Sequence, residues 1–456
     1  MHEHSLFCRY ALLPEGWAEN VRIRTDAEGV TVDIEKDSKA SGSDQVHGFV
    51  LPGMPNLHSH GFQRLMAGLT GPSTAANDHF WSWRKTMYRL AGLLNPEQYE
   101  DCLAWVYLNM LRAGYTGCAE FHYLHHAPDG RPYANRAEMS LRVLAAARRV
   151  GMPLTLLPVL YCRSGFTSPD CAPEQRRFRH GLDDYLALLE ACQSGLSGDS
   201  TQALGMAPHS LRAVPDHALK ALFRSGLRPM PVHIHIAEQT GEVEQCMEHT
   251  GARPVEWLLE QMPVDASWCL VHATHLSNQE RSLTASTGAT IGLCPSTEAD
   301  LGDGMFAMEP WLAMGGRFGL GSDSNTRVSV AEEIRLLEYE ARLVSRRRNV
   351  LAQGRRSSAE TLYGRAASGG ARALGQATGS IDPGRRADLV ELDMAHPLLD
   401  GLNPEQVLDA WVFAGSDDMI RSVWVAARPV IQSGRHPDEA ILERRFRAVV
   451  REVRQR

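Results

Sequence analysis

The sequence predicts an α/β protein: a (β/α)8 TIM-type barrel with a small β-sandwich domain built from both chain ends. Three observations carry this. Eight short apolar runs alternate with amphipathic helical stretches between about residues 50 and 330. No G-x-G-x-x-G phosphate loop follows the first run, which argues against the open, doubly wound alternative. Both chain ends read as short alternating strands, each too small for a core of its own.

Taken in order, residues 1–50 contain "VRIRTDAEGVTVDIEKD", two alternating strands about a glycine-containing turn. The barrel runs are then "HGFVLPGMPNLH", "GYTGCAEFHY", "GMPLTLLPVLY", "ALGMAPHS", "MPVHIHIAE", "SWCLVHATH", "ATIGLCPST" and "RFGLGSDSN". Amphipathic helices such as "RAEMSLRVLAAARRV" and "PDHALKALFRSG" separate several of them, and "AEEIRLLEYEARLVSRR" follows the last. Strands alternating with helices imply parallel pairing through crossovers, and eight such units suit a closed barrel. The C-terminal "RRADLVELD" and "IRSVWVAARPVIQSGR" return to strand patterning. The expected domains are therefore 1–50 with 376–440 as the small β unit, 51–375 as the barrel, and 441–456 as a helical tail.

Bulk properties narrow the partners. The 456 residues are 43% hydrophobic and 22% charged, with a formal net charge of -7. No basic stripe appears, so nucleic acid is not expected. The arginines of "SRRR" (345–348) lie in an amphipathic helical stretch and read as a solvated face. Nine cysteines without a C-x-x-C pair suggest a reducing compartment. The start lacks a basic segment followed by a long apolar core, and no apolar run nears the ~20 residues needed to span a bilayer. A cytoplasmic soluble protein, away from membranes, is the expectation.

Chemistry in such barrels sits at the C-terminal strand ends. The stretch "LPGMPNLHSHGFQR" ends a strand with His58 and His60, two residues apart and so on one face. The second run supplies Glu120, His122 and Tyr123, and the fourth His209 with Ser210 and Arg212 just beyond. "HIHIAE" places His233 and His235 on one face with Glu238 following. His272 and Asp323 end the sixth and eighth runs. Alone, each histidine reads first as a hydrogen-bonded structural residue, Asp323 as a turn former, and Glu238 as a first-turn helix carboxylate. His233 lies deeper in its strand and reads as packing. Together, imidazoles and a carboxylate converging on one barrel mouth suit Zn²⁺ with an open position for water.

These residues resemble the amidohydrolase superfamily. The likeness covers most of the chain, including the split β unit and the "GRRADLVELD" return strand. The H-x-x-E spacing of "HIHIAEQ" resembles the one-metal deaminase branch, and "ALGMAPHS" carries no lysine of the kind that bridges two metals. The strings "PNLHSHGFQR", "EFHYLHH", "APHSLRAV", "HIHIAEQ", "CPSTEADLGDG" and "GLGSDSN", in that order, are similar to the members that deiminate N-formimino-L-glutamate.

The resemblance implies one divalent metal per subunit, Zn²⁺ foremost with Fe²⁺ and Mn²⁺ as alternatives, held by His58, His60, His235 and Asp323. It implies that Asp323 and His272 orient and deprotonate water, and that Glu238 carries a proton to the leaving nitrogen. It implies Gln63, Arg84, Tyr123, His209 and Arg212 as substrate contacts, and a homodimer. Two other functions stay open at this point. A purine or adenosine-like nucleoside deaminase would call for stacking side chains and edge-reading amides at the mouth. A non-catalytic barrel scaffold would be expected to lack one or more metal-binding residues.

Overall fold

All eight apolar runs form barrel strands in the computed structural model, which describes residues 4–455 apart from 43, 71–79, 197, 228 and 229. The outermost positions of the two terminal segments, 1–3 and 456, lie outside the described residues. The barrel strands are Met54–Ser59, Tyr115–His122, Leu154–Leu160, a fourth in two pieces (Gln202–Leu204 and Ala207–Pro208), Val232–Ile236, Trp268–His272, Thr290–Leu293 and Arg317–Leu320. Every pairing along this series is parallel. The ring closes where Met206 bridges Val232 and His235 N–H donates to the His209 carbonyl at 3.0 Å. Most of these strands are buried along their whole length, as expected for strands covered on both faces.

The first run holds two strands, not one. Val46–Pro52 pairs with His4–Leu13 and Leu389–Leu392 in the small sheet, whereas Met54–Ser59 enters the barrel. Gly53 makes the passage: a Cβ there would lie 2.0 Å from Thr116 Oγ1, so only glycine lets the chain pass the second barrel strand. The passage from small sheet to barrel thus falls at residue 53. The sandwich expected for the small unit is realised as seven strands in one hydrogen-bonded path, drawn from both chain ends. Helix Pro404–Ala414, from the segment expected in that unit, packs against helices Val330–Ser345 and Ser358–Leu374. The final helix, Glu439–Gln455, packs on helix Pro96–Arg112, with Trp105 and Phe446 stacked at 5.7 Å.

Local chemistry sets the helix limits. Asn95 and Gln98 cap each other at the start of Pro96–Arg112, as Ser277 and Glu280 do for Asn278–Thr287. Gly151 and Gly288 end their helices with left-handed φ of 72° and 75°. Among the described residues no helix is long and apolar enough to cross a membrane.

Candidate active site

Three imidazoles meet at the barrel mouth. His60 Nδ1 donates to the Phe121 carbonyl at 2.9 Å, and His235 Nδ1 to the His209 carbonyl at 3.1 Å. A carbonyl can only accept, so both Nδ1 atoms carry the hydrogen and both Nε2 atoms present lone pairs. His58 Nε2 lies 3.2 Å from His60 Nε2 and 3.0 Å from His235 Nε2. One proton could serve only one of those contacts. Asp323 Oδ1 completes the group, 3.5 Å from His58 Nε2 and 3.4 Å from His60 Nε2. Ligand atoms of a tetrahedral ion with bonds of ~2.0–2.1 Å are about 3.3 Å apart. The spacing, the tautomers and the donor chemistry therefore fit one divalent cation. Burial and the neighbouring imidazoles keep His58, His60 and His235 neutral, His58 down to about 3.

Asp323 is fixed through its backbone. Its N–H donates to the His58 carbonyl at 3.0 Å, and its own carbonyl accepts from His60 N–H at 2.8 Å. Asn325 Nδ2 donates to the Asp323 carbonyl and to Ser59 Oγ, while Asn56 and Ser322 bond across the same seam. The turn requires left-handed backbone at Asp323 and Asn325, φ 42° and 56°, and His272 likewise has φ 66°. Non-glycine residues held there by surrounding bonds are typical of sites whose side chains must be aimed. Burial pushes the Asp323 carboxyl up, but the hydrogen bond with His58 and the field of the surrounding imidazoles outweigh it and hold the group below its ordinary range.

His272 and Glu238 flank this group. His272 Nε2 stands 3.8 Å from Asp323 Oδ2 and 3.9 Å from Glu238 Oε1. Its Nδ1 meets Glu298 Oε1 at 3.1 Å, and that carboxylate also accepts Cys294 N–H. Burial opposes charge on His272, yet Glu238, Glu298 and Asp323 together raise it to about 10; a bound cation would oppose this. Glu242 accepts the N–H groups of Ala237 and Glu238 and so fixes the turn that presents Glu238. Asp303, bonded by the Gln239 amide, is raised to about 9 by burial and by the Glu238 charge.

A pocket lies above this group. All five expected substrate contacts line it: Gln63, Arg84, Tyr123, His209 and Arg212. Gln63 Nε2 donates to Tyr123 Oη at 2.7 Å, and His209 Nδ1 pairs with Ser210 Oγ at 3.0 Å. Arg84 and Arg212 are both buried. His233 behaves as a packing residue, its Nε2 bonding the Ala373 carbonyl at 2.8 Å.

Sequence reasoning missed several neighbours. Trp83, Met87, Tyr88, Tyr161, Phe178 and Leu301 also line the pocket. Tyr88 lies one helical turn after Arg84, and Tyr161 directly follows the third barrel strand, so spacing could have found both. Glu298 and Asp303 sit in "CPSTEADLGDG" after the seventh strand, a strand-end position that deserved roles. Cys294 lies near His272 and Asp323, but burial holds its thiol protonated, which leaves it a poor ligand.

Residues 49–430 match the profile of the Amidohydrolase family, and the chain belongs to that family. Residues 3–48 match the profile described as "Formimidoylglutamate deiminase HutF, N-terminal domain". The chain is 49% identical to the formimidoylglutamate deiminase of Pseudomonas aeruginosa, over 98% of this chain and 99% of that one. A crystal structure of an amidohydrolase from Brucella melitensis superposes with a TM-score of 0.94 at 45% identity, covering 99% of this chain and 100% of the other. An adenosine deaminase from Xanthomonas campestris with bound zinc shares the fold, with a TM-score of 0.82 at 22% identity over 99% and 98% of the two chains.

Proposed function

We propose that the protein hydrolyses N-formimino-L-glutamate to N-formyl-L-glutamate and ammonia at a single metal, Zn²⁺, held by His58, His60, His235 and Asp323. One observation carries this reading: a mononuclear donor set opens into a pocket whose walls hold two buried arginines, Arg84 and Arg212. A planar guanidinium suits a carboxylate, and the substrate has two. The 49% identity to a formimidoylglutamate deiminase along almost the whole chain supports the same conclusion.

When bound, the metal supplies a Lewis acid that lowers the pKa of water towards about 7. The protein's own groups do the rest. Asp323, held ionised, accepts the water proton, and His272 across 3.8 Å orients the attacking oxygen. Attack at the formimino carbon forms a carbon–oxygen bond and leaves that carbon tetrahedral. Glu238 relays the hydroxyl proton of that carbon to the terminal nitrogen, the carbon–nitrogen bond breaks, and ammonia departs as the carbonyl forms. Gln63 and Tyr123, bonded to each other, and His209 hold the substrate against the arginines.

Purified protein assayed for ammonia on N-formimino-L-glutamate and on adenosine tests this reading. Equimolar ammonia and N-formyl-L-glutamate are expected from the first, with no ammonia from the second. Release from the nucleoside alone would overturn it. Metal analysis of the active protein should find one zinc per chain; two ions would refute the single-metal site.

A further inference from the structure

The wall of the pocket formed by Arg84, Tyr88 and Tyr161 is backed by a side chain with no role so far, Gln175. Gln175 is buried at the end of the short 3-10 turn Pro173–Gln175, in the connection after the third barrel strand. Its Oε1 accepts the Ala172 backbone N–H at 2.9 Å. That contact orients the amide, because a backbone N–H can only donate. Nε2 must therefore be the atom facing the two phenols, and it donates to Tyr88 Oη and to Tyr161 Oη at 2.9 Å each.

Arg84 makes the same demand from the other side. Its Nη2 donates to Tyr88 Oη and, at 3.4 Å, to Tyr161 Oη. A guanidinium has no acceptor. Each phenol oxygen thus accepts from both Gln175 and Arg84, and each phenol hydrogen has to point elsewhere. Both tyrosines line the pocket. Burial raises the Tyr161 phenol well above its ordinary value, so it keeps that hydrogen.

We infer that Gln175 is a positioning residue that locks Tyr88 and Tyr161 as paired hydrogen-bond donors to a substrate carboxylate, beside the Arg84 guanidinium. Two hydroxyl donors and one cation on the same wall form an anion subsite selective for a carboxylate over a neutral group. The inference deepens the proposed function and rests on its dianionic substrate.

Gln175→Glu tests it with almost no change in shape. One carboxylate oxygen can still accept from Ala172, but the other accepts where Nε2 donated. Both phenols then turn their hydrogens to residue 175, and the subsite gains a negative charge. KM for N-formimino-L-glutamate should rise by roughly 10- to 100-fold, the loss expected for two hydroxyl bonds to a charged group, with kcat within about threefold. Gln175→Met should raise KM less, by about 5-fold, and should add nothing in a Tyr88→Phe/Tyr161→Phe background, where no phenol remains to orient. This dependence on the phenols separates positioning from support of the loop, and the Met variant decides the matter if the Glu variant does not fold. Glutarate binding measured by calorimetry gives a readout free of turnover. Weaker glutarate binding in both variants, beside a wild type inactive on N-formimino-L-glutamate, would keep the subsite and refute the proposed substrate. Unchanged KM and glutarate affinity in an active Gln175→Glu protein would overturn the inference. So would an equal Gln175→Met loss with and without the phenols.

Discussion

The two walls of the pocket are built by different means. The metal-side wall comes from strand ends: His58, His60, His235, His272 and Asp323 each stand at, or within three residues of, the C-terminal end of a barrel strand. The facing wall comes from helix Phe80–Ala91 and the irregular connection after the third strand, which supply Arg84, Tyr88, Phe178 and Gln175. Parallel strands in register fix the first wall through their backbone hydrogen bonds. The second is positioned by side chains that grip one another. Arg177 shows how: from that same connection it donates to the Ala91 and Leu94 carbonyls and to His126, tying the helix end to the loop. The metal-binding group can sit on the rigid wall, while the facing wall adds Arg84 to the expected substrate contacts that follow the strands, Gln63, Tyr123, His209 and Arg212.

Substitutions should separate the walls. The largest effect is expected at the metal: Asp323→Ala or His58→Ala should abolish turnover and remove most of the metal, measured by elemental analysis of the purified variants. Retained metal with full activity would mean that the strand-end group is not the centre. Glu238→Gln keeps shape but loses the proton carrier, so kcat should fall about 10²- to 10⁴-fold with metal content unchanged. Loss of metal in that variant would make Glu238 a ligand.

A smaller effect is expected one step back. Glu298→Gln weakens the partner of His272 Nδ1 from a carboxylate to an amide, and activity should drop by about 10-fold. The pH–rate profile should shift as well, because His272 loses a stabilising charge. An unshifted profile would assign Glu298 to packing alone.

The smallest effect is on stability. Burial raises the Glu333 carboxyl to about 8, even though it accepts from Ser296 N–H and Oγ–H. The folded state therefore holds a proton that the unfolded chain releases above its ordinary value of 4.5. Its contribution is full below that value and is lost as pH rises through about 8. Glu333→Gln should flatten the fall in melting temperature between about pH 4.5 and about pH 8. A parallel fall in both proteins would show that Glu333 does not titrate in this range.

How much was legible in the sequence follows from the same contrast. Period-2 patterning and the H-x-H and H-x-x-E spacings reveal strand-end residues, because register converts sequence distance directly into spatial direction. Of the residues named from strand ends, His58, His60, Tyr123, His209, Arg212, His235, Glu238, His272 and Asp323 meet at the group or line the pocket, whereas Glu120 accepts the Gly61 N–H, His122 pairs with Tyr99 and His233 packs. Arg84 became legible through the resemblance, since an arginine in "FWSWRKTMYRL" has no local feature to mark it. Gln175 had no signal at all. Its value lies in one backbone bond and two phenols 14 and 87 positions away in sequence. The small sheet was read from alternation at both ends, but the division of the first run at Gly53 depends on the approach of Thr116, which no local pattern records.

The central claim is that a metal centre and a carboxylate-binding wall act on one small dianion. The most direct test compares kcat/KM of wild type and Arg212→Met on N-formimino-L-glutamate and on its two one-carboxylate analogues, N-formimino-4-aminobutyrate and N-formimino-2-aminobutyrate. Removing one partner of a buried charge pair costs about 3–5 kcal/mol, a loss of roughly 10²- to 10⁴-fold on the dianion. The loss should nearly vanish on the analogue that lacks the carboxylate held by Arg212, while metal content stays at the wild-type level. An equal loss on all three substrates would contradict the account and reduce Arg212 to a structural support.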